Sequence, residues 1–174
     1  SQRYPLGFSG DTTQTWASLA YQPGFTATAS NIGYPWWSHD IGGHCMGKKD
    51  DELYIRWLQL GVFSPIMRLH STNNEFMGKE PWNYCGPVER IAKENLRLRH
   101  KLLPYIYTMN YRTHTECRAI CEPMYYAYPE DKSAYECRNE FFFGTELIVA
   151  PITEHTSLKT NLAGVNVWIP EGRY

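Results

Sequence analysis

The sequence predicts an α/β chain, the C-terminal part of a (β/α)8 TIM barrel followed by the beginning of a β-sandwich domain. Three observations carry this. Apolar strand-like segments that end on polar residues alternate with helix-like stretches, those polar residues recur at a fixed interval, and the pattern turns to β grammar after a long helical run. Asp11 and Asp40 are 29 positions apart, and Asp40 and His70 are 30 apart. A barrel of eight strand–helix units in roughly 250 residues gives about 31 residues per unit, which puts each of these side chains at the carboxyl end of a successive parallel strand, the active-site face. Three units do not close a barrel. The chain is therefore expected to be part of a longer one, and both of its ends look cut.

The elements follow in order. RYPLGFSG, residues 3–10, is strand-like and leads to Asp11, and the stretch 12–33 has helical character in its first half, with Thr12 or Thr13 suited to cap it. YPWWSH, residues 34–39, ends at Asp40. After a Gly-rich loop, residues 50–63 carry apolar side chains at helical spacing behind an acidic first turn that suits the helix dipole. FSPIMRLH, residues 63–70, makes a third strand bearing Arg68 and His70. A polar loop then leads to an amphipathic run from Pro87 to about Glu116, which Pro104 kinks or divides. CEPMYYAY, EFFFGTELIVAPIT and TSLKTNLAGVNVWIPEG read as strands and turns. The division is expected between residues 125 and 145, giving a barrel portion over 1–130 and a β-domain over 131–174.

Composition narrows the function. The 174 residues are 43% hydrophobic and 20% charged, and no apolar run reaches membrane-spanning length. A formal net charge of -1 with scattered Lys and Arg argues against a nucleic-acid partner. The aromatic share is 15%, with 6 Trp and 13 Tyr concentrated in loops and strand ends, where rings either stack on sugar faces or build a core. Five cysteines without a CxxC pair argue against a disulfide framework or a paired-knuckle zinc site and for reduced thiols.

Four positions carry candidate chemistry. Asp11 follows Gly10 and precedes a helix, so its carboxylate suits a general acid projecting from a strand end, and equally a helix N-cap. Asp40 lies in WWSHDIGGH, where it reads as a hydroxyl-binding carboxylate with Trp37 and His44 as aromatic walls. A metal reading would need His39, Asp40, His44 and Cys45 to converge, but neighbouring strand residues face opposite ways and no known zinc spacing is matched. Arg68 and His70, two apart on a strand, share a face and suit either sugar hydroxyls or a buried ion pair at the barrel rim. Glu75 in the following loop reads as a solvated carboxylate.

RYPLGFSGD, YPWWSHDIGGH, and FSPIMRLHS with PW shortly after, resemble in order and spacing the later catalytic segments of glycoside hydrolase family 31. The resemblance continues through KLLPYIYTMNYRTH, EPMYYAYPED and FFFGTELIVAPIT, so it covers nearly the whole chain. It implies retaining hydrolysis of terminal α-linked glucose, with Asp11 as acid/base, Phe8 lining the sugar site, and Asp40, Arg68 and His70 in the innermost subsite. It also implies that the nucleophilic Asp lies upstream, outside this chain, so the remainder of the same enzyme is the expected partner and the chain alone is expected to be inactive. No metal or organic cofactor is implied. Phe8 stands where the family often has Trp, and His44 where it often has Phe. An α-xylosidase, transglycosylase or lyase of the same family is the nearest alternative, and a non-catalytic carbohydrate-binding domain the alternative of another class.

Overall fold

β1 (Leu6–Phe8) and β2 (Trp36–Ser38) lie side by side and parallel, with Leu6 opposite Trp36 and Phe8 opposite Ser38. Parallel neighbours need a crossover, and the chain between them supplies a helix. The computed structural model describes residues 4–172, so Arg3, the first residue of the expected opening strand, and Arg173 and Tyr174 lie outside the described residues.

The crossover is α1 (Trp16–Thr28), capped by Thr15, whose hydroxyl accepts from the Ser18 amide at 3.2 Å. The cap is thus neither Thr12 nor Thr13. Thr13 bonds the Ser18 hydroxyl instead, and its backbone bridges to Cys45, which holds it in the strand layer and delays the helix. α1 also runs through Pro23, because Leu19, Pro23 and Ala27 are buried together and packing outweighs the missing amide. α2 (Asp51–Val62) matches the expected segment closely. Asp50 caps it by accepting from the Leu53 amide at 2.9 Å, and Asp51 and Glu52 provide the acidic first turn.

The third expected strand shrinks to a bridge. Ile41 pairs in parallel with Leu69, its amide donating to the Arg68 carbonyl at 3.2 Å, and no longer ladder forms. Pro65 removes one of the donors a full strand would need. The long helical run divides at Leu102 into α3 (Gly86–Lys101) and α4 (Leu103–Glu116), with Pro104 in the first turn of α4, where a missing amide costs little.

β3 (Cys121–Pro123), β4 (Phe141–Phe143) and β5 (Leu147–Val149) form an antiparallel sheet in the order β3-β4-β5. Position 130 therefore falls between two strands of one sheet. The expected strand within 156–172 does not form. Val165, Val167 and Ile169 are exposed, and among the described residues nothing offers this segment a ladder, without which alternation alone does not make a strand. The fold class read from the sequence is otherwise borne out.

One continuous core joins the two parts. Leu19, Ile41, Leu53, Trp57 and Leu58 pack under the parallel strands, and the cluster runs on through Ile106 and Ile120 to Phe141 and Phe143. A second tie is polar. Glu52, in the first turn of α2, accepts from the amide and hydroxyl of Thr156, and the His155 ring lies 4.0 Å from that of Trp16 at the start of α1. All five cysteines are free thiols, and no described helix is long and apolar enough to cross a membrane.

Asp50 also accepts from the Trp16 indole at 3.1 Å, so it fastens the starts of α1 and α2 together. Replacing it with alanine, Asp50→Ala, should destabilise the enzyme containing this chain by about 1–2 kcal/mol, the range of a lost N-cap. Urea denaturation reads this as a lowered midpoint, and an unmoved midpoint would refute the fastening role.

Candidate active site

The site begins where β1 ends. Gly10 adopts φ +81°, a left-handed turn that glycine makes without strain, and Asp11 follows it into a loop with its side chain 64% exposed. Its carboxylate caps no helix, since Thr15 does that, so the structural reading of Asp11 loses its support. Asp11 Oδ2 lies 3.6 Å from His44 Nε2.

His44 stands between two carboxylates. Its Nδ1 is 3.7 Å from Oδ2 of Asp40, which is fully buried. Asp40 Oδ1 accepts from Arg68 Nη2 at 2.5 Å, while Oδ2 has no hydrogen-bond partner. A buried carboxylate is tolerable only if paired, and Arg68 is what pairs it. The Arg68 guanidinium also lies over the Phe8 ring, 4.8 Å from its centroid, as a cation over a π face. The His70 ring is 4.9 Å from that of His44. Phe8, Asp11, Asp40, His44, Arg68 and His70, from three successive strand ends, therefore form one cluster.

The loop carrying His44 is held by backbone and by two glycines. The His44 amide donates to the Thr12 carbonyl at 2.8 Å and its carbonyl accepts from Thr72, which fixes the imidazole between the first and third strand ends. Gly42 and Gly43 take φ +95° and +82°. A Cβ at Gly42 would meet Lys79 Cε at 2.5 Å, and one at Gly43 would meet Gln14 Cα at 2.6 Å. Lys79 is buried there, its ammonium donating to Gln14 Oε1 and the Met77 carbonyl. Burial first, and repulsion from Lys49 second, lower its pKa to about 8. Lys79 had no sequence signal, because a lysine in a polar loop ordinarily points to water.

Trp37 does not join the cluster, which corrects its placement beside the sugar. Along β2 the side chains alternate, so Trp37 and His39 share the face opposite Asp40. The Trp37 ring packs edge-on against Phe25 of α1 and Tyr34 and closes over Gly7. His39 faces α2, where Nδ1 accepts from the Trp57 indole at 3.1 Å. That leaves Nε2–H to donate to Ser64 Oγ at 2.9 Å, and Ser64 donates onward to the Leu60 carbonyl. The metal set His39, Asp40, His44 and Cys45 is thereby broken, since His39 points away. Among the described residues, the ligand atoms that do converge belong to Asp40, His44 and His70, all within 4.8 Å of one another. Glu75 is exposed in a short turn. A cavity of about 650 Å³ between α1 and residues 123–140, edged by Tyr21, Phe25 and Tyr135, includes none of the cluster residues.

The glycosyl hydrolases family 31 TIM-barrel domain matches residues 1–109, and the glycosyl hydrolase family 31 C-terminal domain matches residues 118–174. The human protein neutral alpha-glucosidase C is 33% identical over 171 residues, which is 97% of this chain and 18% of that protein. The alpha-xylosidase of Saccharolobus solfataricus is 32% identical over 152 residues, 85% of this chain and 20% of that protein. A GH31 dextranase from Flavobacterium johnsoniae, solved with glucose, superposes with a TM-score of 0.81 at 35% identity over 90% of this chain and 20% of that structure. The chain thus spans about a fifth of the length of these relatives.

The geometry around His39 has a pH consequence. Burial, with a smaller contribution from the Arg68 charge, lowers its pKa from 6.5 to about 4. The unfolded chain takes up this proton near 6.5 and the native one only near 4, so stability is whole above 6.5 and falls as pH drops between those values, by up to roughly 3 kcal/mol. His39→Gln should flatten that part of the stability–pH curve, measured by urea titration at successive pH values. An unchanged slope would refute it.

Proposed function

Because the chain belongs to glycosyl hydrolase family 31, we propose that it supplies the acid/base and sugar-recognition part of a retaining α-glycosidase site. The observation that carries this is the run of side chains from exposed Asp11 through the His44 imidazole to buried Asp40 and its Arg68 partner. One carboxylate is open to a leaving group, and the other is fixed and shielded.

Each group then has a task. Asp11 protonates the departing glycosidic oxygen while a second carboxylate attacks the anomeric carbon, and Asp11 afterwards takes a proton from the water that releases the sugar. In retaining enzymes the two carboxylates stand about 5–5.5 Å apart. Asp40 is not that second carboxylate, because it is buried and its Oδ1 is engaged by Arg68. The nucleophile comes from a part of the enzyme outside this chain, and the chain alone is inactive. Asp40 Oδ2 offers an acceptor to a sugar hydroxyl, Arg68 offers donors, and His70 offers a ring nitrogen. Phe8, held on one face by Arg68, gives its remaining surface to the pyranose. The steps assigned to these residues require no cofactor.

The substrate class we favour is a terminal α-linked glucose, in line with the names of the human, mouse and macaque relatives. An α-xyloside is the second reading, supported by the archaeal alpha-xylosidase at almost equal identity. Turnover of aryl α-glucoside and aryl α-xyloside by the whole enzyme separates the two.

Asp11→Asn in the whole enzyme should lower turnover of substrates with poor leaving groups by about 10²–10⁴-fold, the usual span of general acid catalysis. Activated aryl glycosides, which need little protonation, should lose much less in the glycosylation step. Equal losses on both, read from steady-state and burst kinetics, would remove the acid role from Asp11.

A further inference from the structure

We propose that Asp40, His44 and His70 form a binding site for a divalent transition metal of the zinc class, and that the ion and the sugar exclude one another. The ion is an inhibitor here and takes no part in hydrolysis. Binding of the ion stands on geometry alone, whereas the mutual exclusion rests on the sugar-site reading above.

The three side chains offer one ligand atom each within 4.8 Å of one another. Ligands at about 2.0–2.2 Å from a tetrahedral zinc lie roughly 3.3–3.5 Å apart. The 3.7 Å between Asp40 Oδ2 and His44 Nδ1 needs only a small closure to reach that value. Both atoms are buried and neither has a hydrogen-bond partner. Two buried polar atoms that face each other without a hydrogen bond are costly, and a shared cation relieves both at once.

The surroundings fit as well. A metal-bound histidine is ordinarily oriented by a carboxylate on its other nitrogen, and Asp11 Oδ2 lies 3.6 Å from His44 Nε2. Asp40 keeps its Arg68 contact through Oδ1, which leaves Oδ2 for the ion. Two imidazoles and one carboxylate favour zinc or its neighbours over magnesium or calcium, which prefer all-oxygen shells. Asp11 is largely exposed, so the site is open to solvent on that side, and water completes the coordination. Asp40 Oδ2 and His70 are the same atoms and ring that the proposed function gives to sugar hydroxyls, so ion and sugar compete.

The test uses the whole enzyme, stripped of metal by a chelator. Titration with Co²⁺ should produce a visible d–d band at one ion per chain, which Zn²⁺ then displaces. Loss of an orienting carboxylate weakens metal binding about 10–100-fold, so Asp11→Asn should fall in that range, and the ligand substitutions His44→Phe and His70→Gln at about 100-fold or beyond. Circular dichroism confirms that each variant is folded. Zn²⁺ should raise KM for an aryl α-glucoside without lowering kcat, and chelator should reverse it. The ion site is overturned if no band forms, or if the affinity survives both histidine substitutions in folded protein. Binding that needs both histidines while leaving KM unmoved overturns the mutual exclusion. Binding in an enzyme that cleaves no glycoside supports the ion site and overturns the functional reading instead.

Discussion

A carboxylate with no access to water, at the end of the second barrel strand, organises this part of the molecule. A carboxylate buried in that place needs a partner, and Arg68 from the next strand end supplies it. That requirement accounts for the approach of Arg68 and its neighbours to the segment after β2, where Leu69 makes a single bridge to Ile41. Arg68, once drawn to Asp40, lies across the Phe8 ring of the first strand, so a single ion pair ties all three strand ends together. Removing Arg68 would leave a buried charge alone and loosen both neighbours. Removing Asp40 would free the guanidinium but leave the parallel strands in place.

Much of the architecture was legible because each strand–helix unit has nearly the same length. The interval from Asp11 to Asp40 to His70 recurs in the strand register, where Leu6 faces Trp36 and Ile41 faces Leu69. Details that depend on competition between neighbours were not legible. Thr12, Thr13 and Thr15 are all competent caps, and only the bridge from Thr13 to Cys45 decides that the helix waits for Thr15. The alternation in residues 163–169 is real, but a strand is a relation between two segments and one of them cannot declare it alone.

The candidate site shows the same division. Asp11, Asp40, Arg68 and His70 are brought together, as their positions at successive strand ends implied. His44 was placed with them for its neighbourhood, and the structure gives it a more particular station between two carboxylates. Trp37 could have been set aside from the sequence, since it lies an odd number of positions from Asp40 along an extended segment and must face the other way. Lys79 could not have been found. Its burial depends on the space left by Gly42, more than thirty positions earlier, and nothing in its own surroundings marks it.

The contacts of His155 and Thr156 bear on how the whole enzyme is to be taken apart. These residues lie in the part of the chain that matches the C-terminal domain, yet they touch the first turns of α1 and α2, each only a few residues after a site loop. The border that family membership draws between the two parts is therefore not a mechanical border. A truncation made at the sequence boundary would cut the stays that hold the two loops, and a barrel prepared without residues 118–174 would report on a slackened site rather than on the native one.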